Sequence, residues 1–509
     1  MVLRNVILNN VRRKHTWIKP EGYDTGISVY NCIVKEKVPL IVKNKEFTSW
    51  YTCGPTVYDS AHIGHASCYV KLDIIQRILR NHFKINLITV MNITDVDDKI
   101  IKKSLQSEKT PTEIVQHYEK EFWDDMECLN VVKPNLILRV TENMHIIKDF
   151  IKRLVHSKHA YKDEGGSVVF NVKTVNDYGK LQNIVQRDSS NLEENLQTPN
   201  TDFAVWKAVK ENEPYWDAVF GAGRPGWHTE CSALASAVYG DNIDIHAGGI
   251  DLRFPHHENE EAQCCAYFSK SQWVNYWLHT GHLMQNSIKM SKSLNNTLTI
   301  QNMLKICDAE TFRMMCLMSH YRHNMEFSEE YVKTAQTLLK SYKNFVVDCK
   351  AFISGKLHSA INREILNSNL TENINKLHMA LNNDFDTAAC IKIINSVVAS
   401  TNKMLHTPVE SANNNLTDVA SVISILNFVV NTFQLFGMDL NKTVAVNQIE
   451  SSDLTELLEI LNKFRQNVRI LGLANKDKSL LQLCDGVRDD LKKCGIIIKD
   501  HGKLSSWSK

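Results

Sequence analysis

Nowhere in the 509 residues is there an unbroken apolar run of about 18 or more, so no segment reads as a membrane-spanning helix. Close Cys-x-x-Cys pairs are missing too. Thirteen cysteines are scattered with no Cys-x-x-Cys among them, which argues against a secreted disulfide framework and for free thiols in a reducing compartment. Charge of one sign is also lacking: 59 Lys and Arg against 57 Asp and Glu leave a formal +2, so any nucleic-acid partner must be met by local basic patches. No internal repeat is visible. What is present is ample apolar material, 43% of residues, at a length suited to about two to four domains. A soluble, membrane-free globular protein is expected.

The first twenty residues lack acids altogether, while Arg4, Arg12, Arg13, Lys14 and Lys19 lie among Val, Leu and Ile. That composition predicts a mitochondrial transit segment over 1–22, a matrix location and a fold beginning near Tyr23. A basic arm touching RNA has the same composition.

From about Val29 to Val90, β-rich runs alternate with a helical pattern. Trp50-Tyr51-Thr52-Cys53 and Leu87-Ile88-Thr89-Val90 read as strands and Tyr69 to Asn81 as a helix, the rhythm of a parallel sheet. Asn92 to Glu164 reads as mostly helical and Gly165 to Ala218 as turn-rich, so an insertion over about 92–225 is expected before the core resumes at Gly226 to about Gly281. From Asp308 the apolar spacing is helical, as at Ala335, Leu338, Leu339 and Tyr342. The expected division is a Rossmann-like α/β domain over 23–307, a helical bundle over 308–440 and a small unit over 453–509. Polar residues Ser411 to Asn415 interrupt the bundle, and Asn441 to Ser452 reads as a linker.

Three constellations carry chemistry. The first, Cys53-Gly54-Pro55-Thr56-Val57-Tyr58-Asp59-Ser60-Ala61-His62-Ile63-Gly64-His65, follows a strand and opens a helix. A helix N-terminus offers unpaired N–H groups and a positive dipole end to phosphate. His62 and His65 share a helix face and can donate to phosphate oxygens, and Gly64 allows close approach of a nucleobase. The second is Lys289-Met290-Ser291-Lys292-Ser293, a cationic loop able to close over a triphosphate. The third spans Cys53, then Gly226-Trp227-His228-Thr229-Glu230-Cys231-Ser232, then Phe254-Pro255-His256-His257-Glu258-Asn259-Glu260. Two distant thiols with a His and a Glu four residues apart make a four-donor zinc site. Spacing alone does not choose the pair, since His257 and Glu261 are also four apart.

Together the histidine and lysine motifs resemble the HIGH and KMSKS elements of class I aminoacyl-tRNA synthetases, and with the third constellation they resemble the cysteinyl-tRNA synthetases. That resemblance implies a Rossmann-like catalytic core with a parallel sheet and insertion, then an α-helical bundle and a small C-terminal anticodon-binding domain. It implies zinc on Cys53, Cys231, His256 and Glu260, one ion per chain, and magnesium accompanying ATP. It assigns His62, His65, Lys289 and Lys292 to catalysis and Thr56, His62, Gly64, His65, Gly248, Asp251 and Lys292 to ATP. Cys53, Trp227 and His246 are the implied contacts of substrate L-cysteine. The implied partner is the transfer RNA for cysteine, its anticodon met by Asp485, Arg488, Asp500 and Trp507; a monomer is expected. Residues 461–509 hold eleven Lys or Arg against five Asp, which suits a phosphate-tracking surface. Thr94-Asp95-Val96-Asp97-Asp98-Lys99 and Leu381-Asn382-Asn383-Asp384-Phe385-Asp386-Thr387 also match family runs, without a role that the residues themselves disclose. Lys99-Ile100-Ile101-Lys102 and the lysine loop make pyridoxal phosphate-dependent cysteine persulfide synthesis a further expectation from the family.

Two departures from the family pattern stand out. Leu294-Asn295-Asn296 replaces Leu-Gly-Asn, and Leu473-Ala474-Asn475-Lys476-Asp477 lacks an arginine. A cysteine ligase of amino-sugar acceptors shares the core but not the tail, and a silent paralogue would have lost a motif residue.

Overall fold

The computed structural model describes residues 15–182, 202–285, 288–289, 298–407, 415–441, 451–502 and 504–508. Several expectations fall outside them: the basic positions up to Lys14, Met290 to Ser293 of the lysine motif, Leu294-Asn295-Asn296, and most of the two polar stretches near 411–415 and 441–452. The chain falls into two compact units, Met1–Leu440 and Asn441–Lys509.

The first unit begins with an antiparallel hairpin of β1 (Tyr23–Asn31) and β2 (Glu36–Val42). Next come β3 (Thr48–Thr52), α1 (Ile63–Arg77), β4 (Leu87–Ile93), α2 (Asp98–Ser107), α3 (Pro111–Cys128), β5 (Leu136–Arg139) and α4 (Met144–His156). An antiparallel sheet of β6 (Ala160–Lys162), β7 (Val168–Phe170), β8 (Phe203–Ala208) and β9 (Gly223–Pro225) intervenes. The core resumes with α5 (Trp227–Tyr239), β10 (Ile243–Gly249), α6 (Glu258–Phe268) and β11 (Val274–Thr280).

Five of these strands form one parallel sheet in the order β11-β10-β3-β4-β5. It is covered on both faces, which is why β3 and β11 are buried at every position and read as continuous runs, not alternating ones. Chain order reverses between β3 and β10, and in such sheets ligands bind beyond the carboxyl ends of the strands at that reversal.

Some local expectations need correction. The helix expected at Tyr69 begins earlier, at Ile63, because His62 caps it with its own ring. The stretch from Asn92 to Glu164 is not only helical, since Leu136–Arg139 supplies the sheet's edge strand β5. The turn-rich insertion proves to be a sheet whose strands are as short as three residues, too brief to display a period. The expected leader over 1–22 overlaps residues that the core holds: the Trp17 indole N–H donates to the Asn275 carbonyl at 2.9 Å, and Ile18 N–H donates to Gln272 at 2.8 Å.

After β11 come β12 (Leu283–Gln285), β13 (Ile288–Lys289), α7 (Ile300–Leu304), α8 (Ala309–Met318) and β14 (Met325–Glu326). The bundle is α9 (Glu329–Ile353), α10 (Arg363–Asn382), α11 (Thr387–Leu405) and α12 (Leu416–Leu435). Ala335, Leu339, Tyr342, Val346 and Cys349 form the buried stripe of α9, and Asp386 caps α11 by accepting from Ala389 N–H. By length and composition α12 could cross a membrane, although polar residues interrupt it; here Val422, Ile425, Val429 and Phe433 pack into the bundle core.

Arg313 of α8 ties the bundle to α1. Its guanidinium, 2% exposed, reaches Asp73 Oδ2 at 2.6 Å and the carbonyls of Phe436, Leu129 and Asn130 at 3.1, 2.8 and 2.7 Å. Asp73 also accepts from Arg77 at 2.8 Å and from Val132 N–H at 3.0 Å. Asp384, fully buried, accepts from Tyr321 Oη, Arg322 Nε and Tyr30 N–H at 2.8, 2.7 and 3.1 Å. The Leu381 to Thr387 run thereby joins the bundle to β1.

The second unit comprises α13 (Ser451–Ala474), α14 (Lys478–Lys493) and the hairpin β15 (Ile497–His501) and β16 (Leu504–Ser508). Asp477 caps α14, and the buried Arg465 of α13 binds both oxygens of Asp500 at 2.7 and 3.0 Å.

Candidate active site and metal centre

Cys53 is the first residue beyond β3, and Tyr69 of α1 donates to its carbonyl at 3.2 Å. Cys231 comes from the second turn of α5, and His256 and Glu260 from the chain entering α6. These segments, separated by up to 207 residues, converge where the sheet order reverses. Cys53 Sγ lies 3.5 Å from Cys231 Sγ and 3.4 Å from both His256 Nε2 and Glu260 Oε1, and the last two atoms are 3.1 Å apart. Tetrahedral zinc, with bonds of about 2.3 Å to sulfur and about 2.0–2.1 Å to nitrogen or oxygen, requires donor separations of about 3.3–3.8 Å. These four separations come close to that requirement, and all four donor atoms lie within 4.8 Å of one another.

Electrostatics point the same way. Burial, then the neighbouring Cys231 thiol and Glu260, push the Cys53 thiol well above its ordinary range, and burial raises Cys231 as well. Burial, then the rings of His228 and His246, holds the His256 imidazole well below its usual range and therefore neutral. A neutral imidazole, a carboxylate and two thiols that would lose their protons to a cation are a soft donor set suited to zinc, not to magnesium or calcium.

Geometry separates the two glutamates that the spacing left equivalent. Glu261 turns away, pairing with Lys180 Nζ at 2.7 Å and accepting from Trp273 and Val274 N–H at 3.0 and 3.1 Å. The two histidines are less distinct. Cys53, His246, His257 and Glu260 also bring donor atoms together, with His257 Nε2 at 3.6 Å from Cys53 Sγ. The pair Cys53 and Cys231 favours the set with His256, since it contributes two sulfurs.

Around the cluster lie His228, His279 and Asn92, to which the sequence reading gave no role, together with His257, His246 and Trp227, which it had weighed. His228 Nδ1 is 2.9 Å from His256 Nδ1 and burial lowers its pKa to about 3, so it supports the His256 ring as a neutral partner. His257 is bonded to His279 at 2.9 Å. Asn92 Oδ1 accepts from Gly54 N–H at 2.9 Å and lies 3.5 Å from Cys231 Sγ. The only signal for Asn92 was its place just before the Thr94 to Lys99 run. His246 Nε2 is 2.9 Å from Glu260 Oε2, while its buried Nδ1 has no hydrogen-bond partner among the described residues. Trp227 stacks on His256 with centroids 4.1 Å apart and is 38% exposed, so it roofs the cluster on the solvent side.

The histidine motif forms the start of α1. His62 Nδ1 accepts from Gly64 N–H at 3.1 Å and His65 Nδ1 accepts from His62 N–H at 3.2 Å. With both Nδ1 atoms acting as acceptors, each neutral ring carries its proton on Nε2, giving two N–H donors on rings stacked 3.9 Å apart. A Cβ at Gly64 would come within 2.8 Å of the His62 ring, so glycine is needed for this stack as well as for any approaching ligand. A Cβ at Gly248 would meet the His257 ring at 2.9 Å, a packing reason for that glycine. Thr56 pairs with Thr94 beyond the strand ends, and Asp251 is exposed just after β10.

Lys289 closes the β12–β13 hairpin opposite Met284; Lys292 lies outside the described residues. The chain that follows the lysine motif is tied to α1: Ile63 N–H donates to Leu298 O at 3.0 Å and Ile300 N–H to Ala61 O at 3.1 Å.

The acidic run has structural roles. Asp95 accepts from Thr141 N–H at 2.9 Å, Asp97 caps α2, and Asp98 pairs with Arg224 and Lys207. Lys99 lies 5.3 Å from the Tyr58 ring centroid, and Lys102 is exposed. In the second unit, Arg465 holds Asp500 below the usual carboxylate range, Arg488 pairs with Asp485 at 3.1 Å, and Trp507 is partly buried opposite Ile498.

Residues 40–337 match the family described as tRNA synthetases class I (C) catalytic domain. A Xenopus tropicalis protein described as a probable mitochondrial cysteine–tRNA ligase is 38% identical over 96% of this chain and 91% of its own. The cysteine–tRNA ligase of Methanococcus maripaludis is 37% identical over 94% and 98%, and a cytoplasmic one from Dictyostelium discoideum is 35% identical over 97% and 79%. Among solved structures, Mycobacterium tuberculosis methionyl-tRNA synthetase bound by methionyl-adenylate shares the fold at a TM-score of 0.57 and 11% identity, covering 77% of this chain and 90% of its own. The class I synthetase fold and the near full-length likeness to cysteine–tRNA ligases lead to one assignment: the chain belongs to the cysteinyl-tRNA synthetases, class I ligases.

Proposed function

We propose that this chain activates L-cysteine with ATP and transfers it to the 3′ adenosine of tRNA(Cys). The cysteine carboxylate attacks the α-phosphorus, the bond to the bridging oxygen breaks, and pyrophosphate leaves as cysteinyl-adenylate forms. A ribose hydroxyl of the terminal adenosine then attacks the adenylate carbonyl and AMP leaves. Neither step requires a protein nucleophile, so positioning and charge stabilisation carry the rate.

His62 and His65 direct Nε2–H groups at the phosphates from the N-terminus of α1, and Lys289 and Lys292 neutralise the charge that grows on pyrophosphate, with magnesium. Thr56, Gly64, Gly248 and Asp251 line the nucleotide's place. Cys53, Cys231, His256 and Glu260 would hold zinc, and their convergence is the observation that supports this reading best. Zinc there would select substrate, because the thiolate of cysteine is a far better ligand for it than the hydroxyl of serine. Trp227 covers the side chain, and His246 has an Nδ1 available to a polar group of the amino acid.

For location, the acid-free start and two relatives described as mitochondrial support the matrix, and a reporter fused behind residues 1–30 would test it. Persulfide synthesis rests on Lys99, Lys102 and the loop lysines being available; aldimine absorbance with pyridoxal phosphate would test it. In the second unit, Trp507 and the exposed lysines are the base-stacking and phosphate candidates, and Asp485, Arg488 and Asp500 shape the surface that presents them.

Charging is the decisive assay: the purified chain, ATP, magnesium, labelled cysteine and a tRNA(Cys) transcript, run beside ATP–pyrophosphate exchange. Both activities are expected. Exchange with serine equal to exchange with cysteine would refute the assigned substrate.

A further inference from the structure

The first turn of α6 does more than supply Glu260. Its four consecutive residues Glu258, Asn259, Glu260 and Glu261 are all essentially buried, and three of them are gripped by one short segment of the insertion. The Glu258 carboxylate accepts from the backbone N–H groups of Gly179, Lys180 and Leu181 at 2.8, 3.2 and 2.8 Å. Tyr178 Oη donates to Asn259 Oδ1 at 2.6 Å, and Lys180 Nζ pairs with Glu261 at 2.7 Å. Lys180 Nζ is fixed in turn by the Ser271 carbonyl at 2.9 Å.

Helix geometry gives this arrangement its consequence. Glu258 and Glu261, three apart, share one face of α6, and that face meets the clamp. Glu260 projects from another face into the cluster with Cys53, Cys231 and His256, while His256 lies one turn before it. A rotation of the first turn moves both candidate ligands at once, and three N–H bonds to a carboxylate resist such a rotation better than neutral contacts would. Outer partners of this kind tune metal sites strongly.

We propose that Tyr178–Leu181 acts as a clamp on the metal-binding helix and that Glu258 is a positioning residue, holding Glu260 and His256 in register for zinc and thereby for substrate cysteine. This rests on the reading of Cys53, Cys231, His256 and Glu260 as zinc ligands.

The test uses the full chain loaded with zinc. Glu258→Gln keeps the shape but replaces one acceptor oxygen with an N–H donor facing N–H groups. Transfer of zinc to a chromophoric chelator should then run about 10-fold to 100-fold faster than in the unsubstituted chain. The KM for cysteine in pyrophosphate exchange should rise with it while the KM for ATP stays unchanged, a split that general loosening would not produce. Tyr178→Phe removes only the bond to Asn259 and should shift zinc release in the same direction by a smaller factor, which keeps the test alive if Glu258→Gln does not fold. Folded variants with unsubstituted zinc release and cysteine KM would overturn the proposal. An unsubstituted chain that retains no zinc would overturn the metal reading beneath it, a different failure seen before any clamp variant is made.

Discussion

Cys231→Ser is the perturbation that bears most directly on substrate choice. An oxygen ligand must come about 0.3 Å nearer the metal than a sulfur ligand. A serine oxygen, however, lies closer to its own Cβ than the sulfur it replaces, and α5 holds that Cβ in place with Cys231 only 1% exposed. Substitution of outer partners alone costs about 10-fold to 100-fold in metal affinity, so loss of a direct ligand should exceed 100-fold. Discrimination between cysteine and serine then falls back on pocket shape. Shape separates such close analogues by about 10-fold to 200-fold, against the roughly 10⁴-fold that translation needs. The expected loss is therefore about two decades in the ratio of kcat/KM values, or about 2.7 kcal/mol of differential transition-state binding. Pyrophosphate exchange with each amino acid gives the ratio, elemental analysis of the same sample gives the zinc, and circular dichroism guards the fold. A zinc-free variant that still prefers cysteine by about 10⁴ would refute the reasoning, because the preference would then reside in the pocket walls.

Lys292→Ala should lower the rate of adenylate formation by about 100-fold or more, as loss of one charge-stabilising donor does, while the cysteine KM moves far less; equal effects on both, measured by exchange kinetics, would contradict the loop's role. Arg313→Met should cost about 3–5 kcal/mol in urea denaturation, because it strips Asp73 of one buried partner and takes the guanidinium donor from the Phe436 and Leu129 carbonyls, while Asn130 keeps Arg77; a cost under about 1 kcal/mol would show that the hub is dispensable. Asp500 is held below its ordinary pKa by Arg465, so the folded unit binds its proton less readily than the unfolded chain does. Its contribution is present above the usual carboxylate pKa and lost as pH falls through the lower folded value. Hydrogen-exchange protection factors of the 451–508 peptides, corrected for the intrinsic rate at each pH, should therefore fall on acidification below about pH 4. In Asp500→Asn that acid dependence should flatten, and an unchanged profile would reject the linkage.

How much of this could be read in the chain differs from element to element. Parallel strands buried on both faces announce themselves as short apolar runs, and β3 and β4 were accordingly visible. The four-residue edge strand β5 and the three-residue strands of the insertion carry too few residues to show any period. In the site, residues whose chemistry is rare, two thiols and paired histidines in fixed order, were legible. Asn92, His228 and Glu258 were not, because Asn, His and Glu are ordinary residues until a fold sets them 2.8–3.5 Å from a partner far along the chain. Spacing could not choose between Glu260 and Glu261 for the same reason: one helical step separates a carboxylate facing two sulfurs from one facing Lys180.

The charge balance bears on how a nearly neutral chain would address the proposed tRNA partner. Within the second unit the arginines are largely committed. Arg465 is buried against Asp500 and the Cys484 carbonyl, Arg469 bonds the Gly502 carbonyl, and Arg488 is paired with Asp485. Lys463, Lys476, Lys478, Lys492 and Lys499 are exposed. An excess that counts Lys and Arg alike thus overstates fixed, forked recognition and describes a mobile point-charge surface, which tracks phosphates without reading bases. On the proposed anticodon role, base discrimination would then come from stacking and from backbone groups near Trp507. It follows that removing lysines should weaken tRNA binding with a strong salt dependence, whereas Trp507→Ala should weaken binding of tRNA(Cys) relative to other tRNAs.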